Sequence, residues 1–349
     1  MIRKNTREVS LGNVKIGGNN PIAVQTMLNV PASDIDGSVQ QAISAEKAGC
    51  QILRIALPTI ESVALIKAIK LKIDIPLVAD IHFDYRIALA AAENGIDKIR
   101  INPGNIGDEG RVKAVADICR KKHIPIRIGV NGGSLEKEIL AKYGHPTAEA
   151  LVESAAYHVS LLEKYDFNDI VISMKSSDVN LMIDAYRLAA EKFDYPLHLG
   201  VTEAGTKRMG IIKSAVGIGS LLCDGIGDTI RVSLTDDITE EIKAGYDILK
   251  ACGLYNKGVN IVSCPTCGRT KIDLIGLAKK VTDALKDVDK NITVAVMGCA
   301  VNGPGEAREA DIGLAGGDGN GIIFKKGQII EKVPEGKLLE RLLYHIDKM

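Results

Sequence analysis

The sequence predicts an α/β chain: an N-terminal (β/α)8 barrel of TIM type over residues 1–254, followed by a small α+β domain over 259–349. Three observations predict it. Eight short β-rich runs alternate with amphipathic segments up to residue 254. The runs are nearly continuous in apolar residues, which suits strands buried on both faces of a parallel sheet. A polar stretch, YNKGVN (255–260), then leads into a segment of different texture, with cysteines and Gly-rich turns.

The eight runs are PIAVQTM (21–27), CQILRIAL (50–57), PLVADIHF (76–83), KIRINPG (98–104), PIRIGVNGG (125–133), DIVISMKSS (169–177), PLHLGVTEAG (196–205) and TIRVSLT (229–235). Between them, IESVALIKAIKLK (60–72) has apolar residues at helical spacing. GRVKAVADICRKKH (110–123) does too, and its last turns are basic, where the helix dipole favours cations. DVNLMIDAYRLAAEKF (178–193) starts after SSD, a good N-cap context. Repeated strand–helix units of this kind match a closed barrel. A doubly wound open sheet is the rival, and the lack of an early Gly-x-Gly-x-x-Gly turn disfavours it. The longest gap, 132–160, has room for an extra helix or a lid over the barrel mouth. In the second domain, NIVSCP (260–265) and ITVAVMGC (292–299) read as strands. TKIDLIGLAKKVTDALKDV (270–288) and EGKLLERLLYHIDKM (335–349) read as helices, and short strands fill 305–333.

Composition narrows the function. The chain has 44 basic and 44 acidic side chains and a net charge of zero. General attraction to nucleic acid or to an anionic membrane is therefore not expected. Trp is absent and Phe numbers 4, so base-stacking platforms are not expected either. MIRKNTREVSLGNVKIGG has no apolar run for a signal segment, and no stretch is long and apolar enough to span a membrane. The expectation is a soluble, cytoplasmic protein. An odd count of 7 cysteines argues for metal or catalytic use of some of them rather than a disulfide framework. Cys50, Cys119, Cys223 and Cys252 sit in apolar or helical contexts and read as small buried hydrophobes.

Active sites of such barrels lie at the C-terminal ends of the strands. The polar residues at or near those ends are Gln25, Arg54, Asp80 with His82, Arg100 with Asn102, Arg127 with Asn131, Lys175, Glu203, and Arg231 with Ser233. A neutral chain thus gathers five cations from five strands against two acids, Asp80 and Glu203. That pattern suits a small polyanion, a phosphate or diphosphate ester, because the planar Arg fork binds phosphate oxygens in pairs. The bland alternative is that each Arg pairs with an acid on the rim. GTKRMGIIKSAVGIG (205–219) opens a helix whose backbone N–H groups could join the anion site, or it is a surface helix start.

The second domain carries a different signal. SCPTCGRT places Cys264 and Cys267 on one turn, and Cys299 ends the next apolar strand. Glu306 follows past a Gly-Pro-Gly turn. Three soft thiolates with one hard, exchangeable oxygen make a poor structural zinc site and suit an iron–sulfur cluster with one accessible iron. A structural zinc with an unseen fourth ligand is the alternative, with Glu306 an unrelated loop residue.

These passages together resemble the bacterial 4-hydroxy-3-methylbut-2-en-1-yl diphosphate synthases, iron–sulfur enzymes of the non-mevalonate isoprenoid pathway. NPIAVQTM, ADIHF, KIRINPGNIG, IRIGVNGGS, ISMKSSD, LGVTEAG, DTIRVSLT, SCPTCGRT and MGCAVNGPGEAREADIG carry the resemblance along the whole chain. It implies two-electron reductive ring opening and dehydration of 2-C-methyl-D-erythritol 2,4-cyclodiphosphate. It implies a [4Fe-4S] cluster on Cys264, Cys267, Cys299 and Glu306. It implies diphosphate binding by Arg54, Arg100, Arg127, Asn131, Lys175, Arg231 and Ser233, with Glu203 near the reacting carbons and Asn302 beside the cluster. Asn102 joins this set as a candidate from its place at a strand end. A flavodoxin or ferredoxin is implied as electron donor, and a head-to-tail homodimer as the assembly, the barrel of one subunit facing the cluster of the other. A pterin-dependent barrel transferase is one rival class and does not explain the cysteine domain; a zinc-stabilised module binding an anion is the other, told apart by its metal content.

Overall fold

A computed structural model of the chain describes residues 2–286, 288–301 and 303–349. The chain divides into two compact units, Met1–Leu254 and Tyr255–Met349. Among the described residues no helix is long and apolar enough to cross a membrane.

The first unit opens with an antiparallel hairpin, β1 (Val9–Leu11) and β2 (Val14–Ile16). Eight strand–helix repeats follow. They are β3 (Ala23–Met27) with α1 (Ile35–Lys47), β4 (Ile52–Ala56) with α2 (Ala64–Lys70), β5 (Leu77–Asp80) with α3 (Tyr85–Glu93), and β6 (Lys98–Ile101) with α4 (Glu109–Lys122). Next come β7 (Ile126–Asn131) with α5 (Lys137–Tyr143) and α6 (Ala148–Glu163), and β8 (Ile170–Lys175) with α7 (Val179–Lys192). The last two are β9 (His198–Leu199) with α8 (Lys207–Cys223) and β10 (Thr229–Ile230) with α9 (Ile238–Ala251). The long gap after β7 does hold an extra helix, α5.

All eight strands are parallel, in the order β8-β7-β6-β5-β4-β3-β10-β9. An isolated parallel bridge, Ile172 with Leu197, joins β8 to β9 and closes the ring. A side chain reinforces this seam. Tyr186 of α7 accepts a hydrogen bond from the Met174 N–H at 2.9 Å and donates one to the His198 carbonyl. The PLHLGVTEAG run forms only a two-residue strand, and after Leu199 the chain passes close to the Arg231 backbone. At Gly200 a Cβ would lie 2.9 Å from the Arg231 carbonyl oxygen, so only glycine permits the crossing.

Local chemistry sets the helix starts. Asp84, Asp108, Asp178 and Asp237 each accept from an early backbone N–H of the helix that follows. The hairpin seals the barrel floor: Val9, Leu11 and Ile16 pack on Ala23, Ile52, Val78 and Val171, which lie at the starts of their strands. The sequence reading assigned this segment no structure, since each strand is three residues long and has no periodicity to detect. Asp228 ties the N-terminal segment down, accepting from Thr6 Oγ1 and Arg3 at 3.0 Å and from the Leu197 N–H at 2.9 Å.

The second unit is a five-stranded mixed sheet in the order β11 (Asn260–Ser263), β12 (Thr293–Met297), β13 (Ile312–Ala315), β14 (Asn320–Lys325), β15 (Gln328–Pro334). Helices α10 (Leu274–Leu285) and α12 (Leu338–Asp347) cover its apolar core, and α11 (Gly303–Glu306) is a single turn. β11, β12 and β13 run parallel, so their C-terminal ends lie at one edge of the sheet.

Two of the four cysteines assigned to the core are corrected. Cys50 and Cys119 are buried, and burial pushes both thiols up to about 12. Cys223 is exposed and Cys252 half-buried, because they end α8 and follow α9, where the chain turns out to solvent.

Candidate active site

Strand alternation decides which barrel residues face inward. On β6 this puts Lys98 and Arg100 on one face, on β7 Arg127 and Asn131, and on β8 Ser173 and Lys175. Register then lines them up across strands: Asp80 beside Arg100, Arg100 beside Arg127, Asn131 beside Lys175. The usual barrel interior is layers of Val, Ile and Leu. Here it is ionic. Arg54, Lys98, Arg100 and Arg127 are essentially inaccessible, at 3%, 0%, 2% and 0% exposure. Lys175 and Arg231 are half-buried nearby and line, with Arg54, Ser173, His198 and Ser233, a narrow pocket of about 30 Å³.

Two carboxylates hold part of this charge. Asp80 lies 2.5 Å from Arg54 and 3.2 Å from Arg100, and His82 lies 3.4 Å from it. Burial would raise the Asp80 pKa, but Arg54, His82 and Arg100 overcome it and hold the carboxyl well below its ordinary range. Glu241, on α9, accepts from Thr26 Oγ1 at 2.7 Å and from the Leu234 N–H at 2.9 Å, and it steadies Arg231 at 3.4 Å. Arg100 also donates to the Gly129 carbonyl at 3.1 Å, and a side chain at Gly129 would collide with its guanidinium.

The remaining charge is uncompensated. None of the three Arg127 nitrogens has a hydrogen-bond partner, and neither does Lys98 Nζ, the Gln25 amide or Asn102 Oδ1. Burial first, then repulsion from Arg54 and Arg100, drives Arg127 well below its ordinary value. Lys98 falls well below its own for burial and for Arg127 and Arg54. Burial, then Arg54, Arg127 and Arg100, pulls Lys175 down to about 6. His198, whose Nδ1 lies 2.7 Å from Thr229 Oγ1, is held neutral by burial and by Arg127 and Lys98. An unpaired buried ion costs several kcal/mol. A bore built this way has the charge and the free donors that an anion with several oxygens would need.

Above the bore the mouth opens into a cavity of about 710 Å³. Asn131, Gly132, Gly133, Lys175, Ser176, Thr202 and Glu203 line it. Glu203 is exposed and has φ +51°, a left-handed conformation uncommon for a non-glycine residue and enriched at functional sites. The barrel thus brings together Arg54, Arg100, Asn102, Arg127, Lys175, Arg231 and Ser233 around the bore, with Asn131 and Glu203 on the cavity above. Arg127 is the second residue of β7, so it sits inside the bore, four residues below Asn131, and not at the rim. At the opening of α8, Lys207 is paired with Glu240 at 2.6 Å.

Lys98, His198 and Glu241 were missed by the sequence reading. Glu241 did leave a trace. It occupies a place on the buried face of α9, with Ile238, Ile242, Gly245 and Ile248, where an acid is out of pattern.

In the second unit, Cys264 follows β11 and Cys299 follows β12, at the same end of adjacent parallel strands. The Gly298 N–H donates to Cys264 Sγ at 3.1 Å. The Cys267 N–H donates to Thr270 Oγ1 at 3.1 Å, and the Arg269 N–H, foremost, lowers the Cys267 thiol below its ordinary value. The Gly303 N–H donates to the Cys299 carbonyl at 3.2 Å, which anchors the turn bearing Glu306. Cys264 and Cys299 are half-buried, Cys267 and Glu306 exposed. Asn302, expected beside these residues, lies outside the described residues. Among the described residues no three His, Cys, Asp or Glu side chains converge on a single-ion site. One tetrahedral zinc needs its donors about 2.0–2.3 Å from one point. A cube of four irons takes its ligands at separate corners, so thiols on two neighbouring loops with amide support suit it.

Comparison with known proteins agrees with both halves. The GcpE TIM-barrel domain model matches residues 6–246, and the GcpE protein C-terminal domain model matches 260–348. A 4-hydroxy-3-methylbut-2-en-1-yl diphosphate synthase (flavodoxin) of Fusobacterium nucleatum is 60% identical over 98% of this chain and 96% of its own. The enzyme of that name from Clostridium perfringens is 59% identical over 99% of each. Among solved structures, a dihydropteroate synthase of Yersinia pestis has a TM-score of 0.52 at 12% identity, covering 71% of this chain and 100% of that one. A type I 3-dehydroquinate dehydratase of Clostridium difficile has a TM-score of 0.52 at 15% identity, covering 70% and 97%. These distant structures share the barrel fold alone. Matched from the first barrel strand to the last helix, the chain belongs to the GcpE family.

Proposed function

We propose that the barrel bore and mouth hold the diphosphate of 2-C-methyl-D-erythritol 2,4-cyclodiphosphate, and that a [4Fe-4S] cluster on Cys264, Cys267, Cys299 and Glu306 supplies the electrons for its conversion to (E)-4-hydroxy-3-methylbut-2-enyl diphosphate. The chain is an oxidoreductase of the non-mevalonate isoprenoid pathway, as its family membership implies. The observation that carries the binding assignment is the buried, unpartnered Arg127 amid Arg54, Arg100, Lys98 and Lys175.

The reaction opens the cyclic diphosphate, removes one hydroxyl as water and adds two electrons. Cys264, Cys267, Cys299 and Glu306 would hold a cluster that, when bound, would supply electrons one at a time. A flavodoxin, named for the relatives, suits that delivery. The barrel side chains do the rest. Arg54, Arg100, Arg127 and Arg231 present donor forks, with Asn131 and Ser233 as neutral donors. Fixing the diphosphate fixes the carbon skeleton relative to Glu203. The donors are set before substrate arrives, so charge that develops on the freed diphosphate oxygen meets oriented cations without reorganisation. Lys175 and Lys98 gain protons as the anion neutralises their surroundings. Glu203, on the cavity wall, is the candidate to deliver the proton that leaves with the hydroxyl.

Four measurements check this reading. Arg127→Met removes the unpaired buried ion without opening a large void, so the thermal midpoint should hold or rise. Over the same change kcat/KM should fall roughly 10- to 100-fold, the worth of one charge-assisted contact; unchanged turnover would remove Arg127 from the site. Because Lys175 sits at about 6 in the free protein, diphosphate binding at pH 7.5 should take up protons, seen by calorimetry in buffers of different ionisation enthalpy. Affinity should then weaken as pH rises from 6 to 9 and level off below 6, where Lys175 is already charged; a flat profile contradicts the linkage. Anaerobically purified protein should be brown with about four irons per chain. Glu306→Cys should keep that colour and lose turnover, whereas full activity with four cysteine ligands would rule out a role for the exchangeable carboxylate. Glu203→Gln should lower kcat by roughly 10²- to 10⁴-fold with little change in KM; a normal rate would exclude it as the proton source.

A further inference from the structure

His158 takes no part in the chemistry above, yet it is wholly buried, at 0% exposure, with a hydrogen bond at Nδ1 and a carboxylate facing Nε2. It lies on α6 and faces two loops that come from different strands. The Gly104 N–H, in the loop after β6, donates to Nδ1 at 3.2 Å. Nδ1 is therefore unprotonated, and the ring hydrogen sits on Nε2. Nε2 faces Glu136 Oε1, in the loop after β7, at 2.7 Å. Ser154, one turn earlier on α6, also hydrogen-bonds Glu136. Burial would raise the Glu136 pKa, but His158 and Ser154 bring it down to about 2, so it is a carboxylate at neutral pH. Gly104 leaves room for the ring: a Cβ there would lie 2.7 Å from His158 Cε1.

Both loops lead straight from the mouth. Asn102 lies two residues before Gly104, and the Asn131–Gly132–Gly133–Ser134 stretch on the cavity wall ends two residues before Glu136. Loops after barrel strands move independently unless something joins them. We infer that His158 is a positioning residue: its single imidazole couples the loops after β6 and β7, so that Asn102 and Asn131 reach the substrate already in register. Ordering two loops in advance lowers the entropy lost on binding. Its loss is therefore felt in KM before kcat. The inference rests on the reading of the mouth as the diphosphate site.

The experiment uses the full chain with its cluster. In His158→Leu, hydrogen exchange of the backbone should speed up in segments 102–107 and 132–147 together, with KM for the cyclic diphosphate up about tenfold (1.4 kcal/mol) and kcat within twofold. His158→Asn keeps an acceptor for Gly104 but cannot reach Glu136, so only 132–147 should loosen. Glu136→Met, which keeps the side-chain length but removes the acceptor, should reproduce that partial effect and add little on top of His158→Leu. Exchange that rises in one loop alone in His158→Leu, or a fall in kcat with KM unchanged, overturns the coupling. Calorimetry with inorganic diphosphate separates the two ideas. If the wild-type chain fails to bind it, the mouth assignment falls, and the exchange data still judge the coupling.

Discussion

The confinement of six cationic side chains with two buried carboxylates inside one barrel is the constraint on which the rest of the first unit depends. Removing the guanidinium charges from water opposes folding, and neither Asp80 nor Glu241 forms an ion pair with Arg127 or Lys98. The surroundings are arranged to bear that cost. The hairpin of Val9, Leu11 and Ile16 makes the floor apolar, Tyr186 locks the seam between β8 and β9, and capped helices wrap the outside. Without such support a bore of this charge would open to water, and the low dielectric that strengthens its hold on an anion would be lost.

The same strain bears on the proposed ligand. Lys98 and Lys175 are lowered by burial and by the neighbouring guanidinium groups, and a bound diphosphate would offset both. In the proposed reading the bore takes the anionic oxygens and the cavity above, where Glu203 lies, takes the carbon skeleton. A buried salt-bridge network with matched acids would have been more stable and less useful. Here stability is surrendered at the place where an anion restores it.

The second unit solves a different problem with different atoms. Holding an electron carrier needs soft donors on a rigid edge, and the parallel pairing of β11 with β12 brings Cys264 and Cys299 to one edge of the sheet. The backbone supplies further order through the Gly298 N–H on Cys264 Sγ and the Gly303 N–H on the Cys299 carbonyl. Buried basic side chains gather in one unit and the Cys264, Cys267 and Cys299 loops in the other, which is why neither motif alone accounts for the chain.

The amino-acid order alone determined the eight-fold repeat and the basic residues along its strands, and it suggested the Cys264–Cys267–Cys299–Glu306 set, because each is a local pattern: a run of apolar residues, an Arg within it, a short spacing. It also contained the motifs that tie the chain to its family. What only the tertiary structure decided is who faces whom. Lys98 reads as the first residue of an ordinary strand, and its burial against Arg127 follows from the register of β6 on β7. Glu241 belongs to a helix more than two hundred residues from Thr26, yet the closure of the barrel puts them 2.7 Å apart. His158 looks like one more polar residue of a lid segment until α6 folds it between the loops that hold Gly104 and Glu136. Sequence records preferences between near neighbours. Pairing across a closed ring depends on twist, register and burial summed over the whole chain, and no local pattern carries that information.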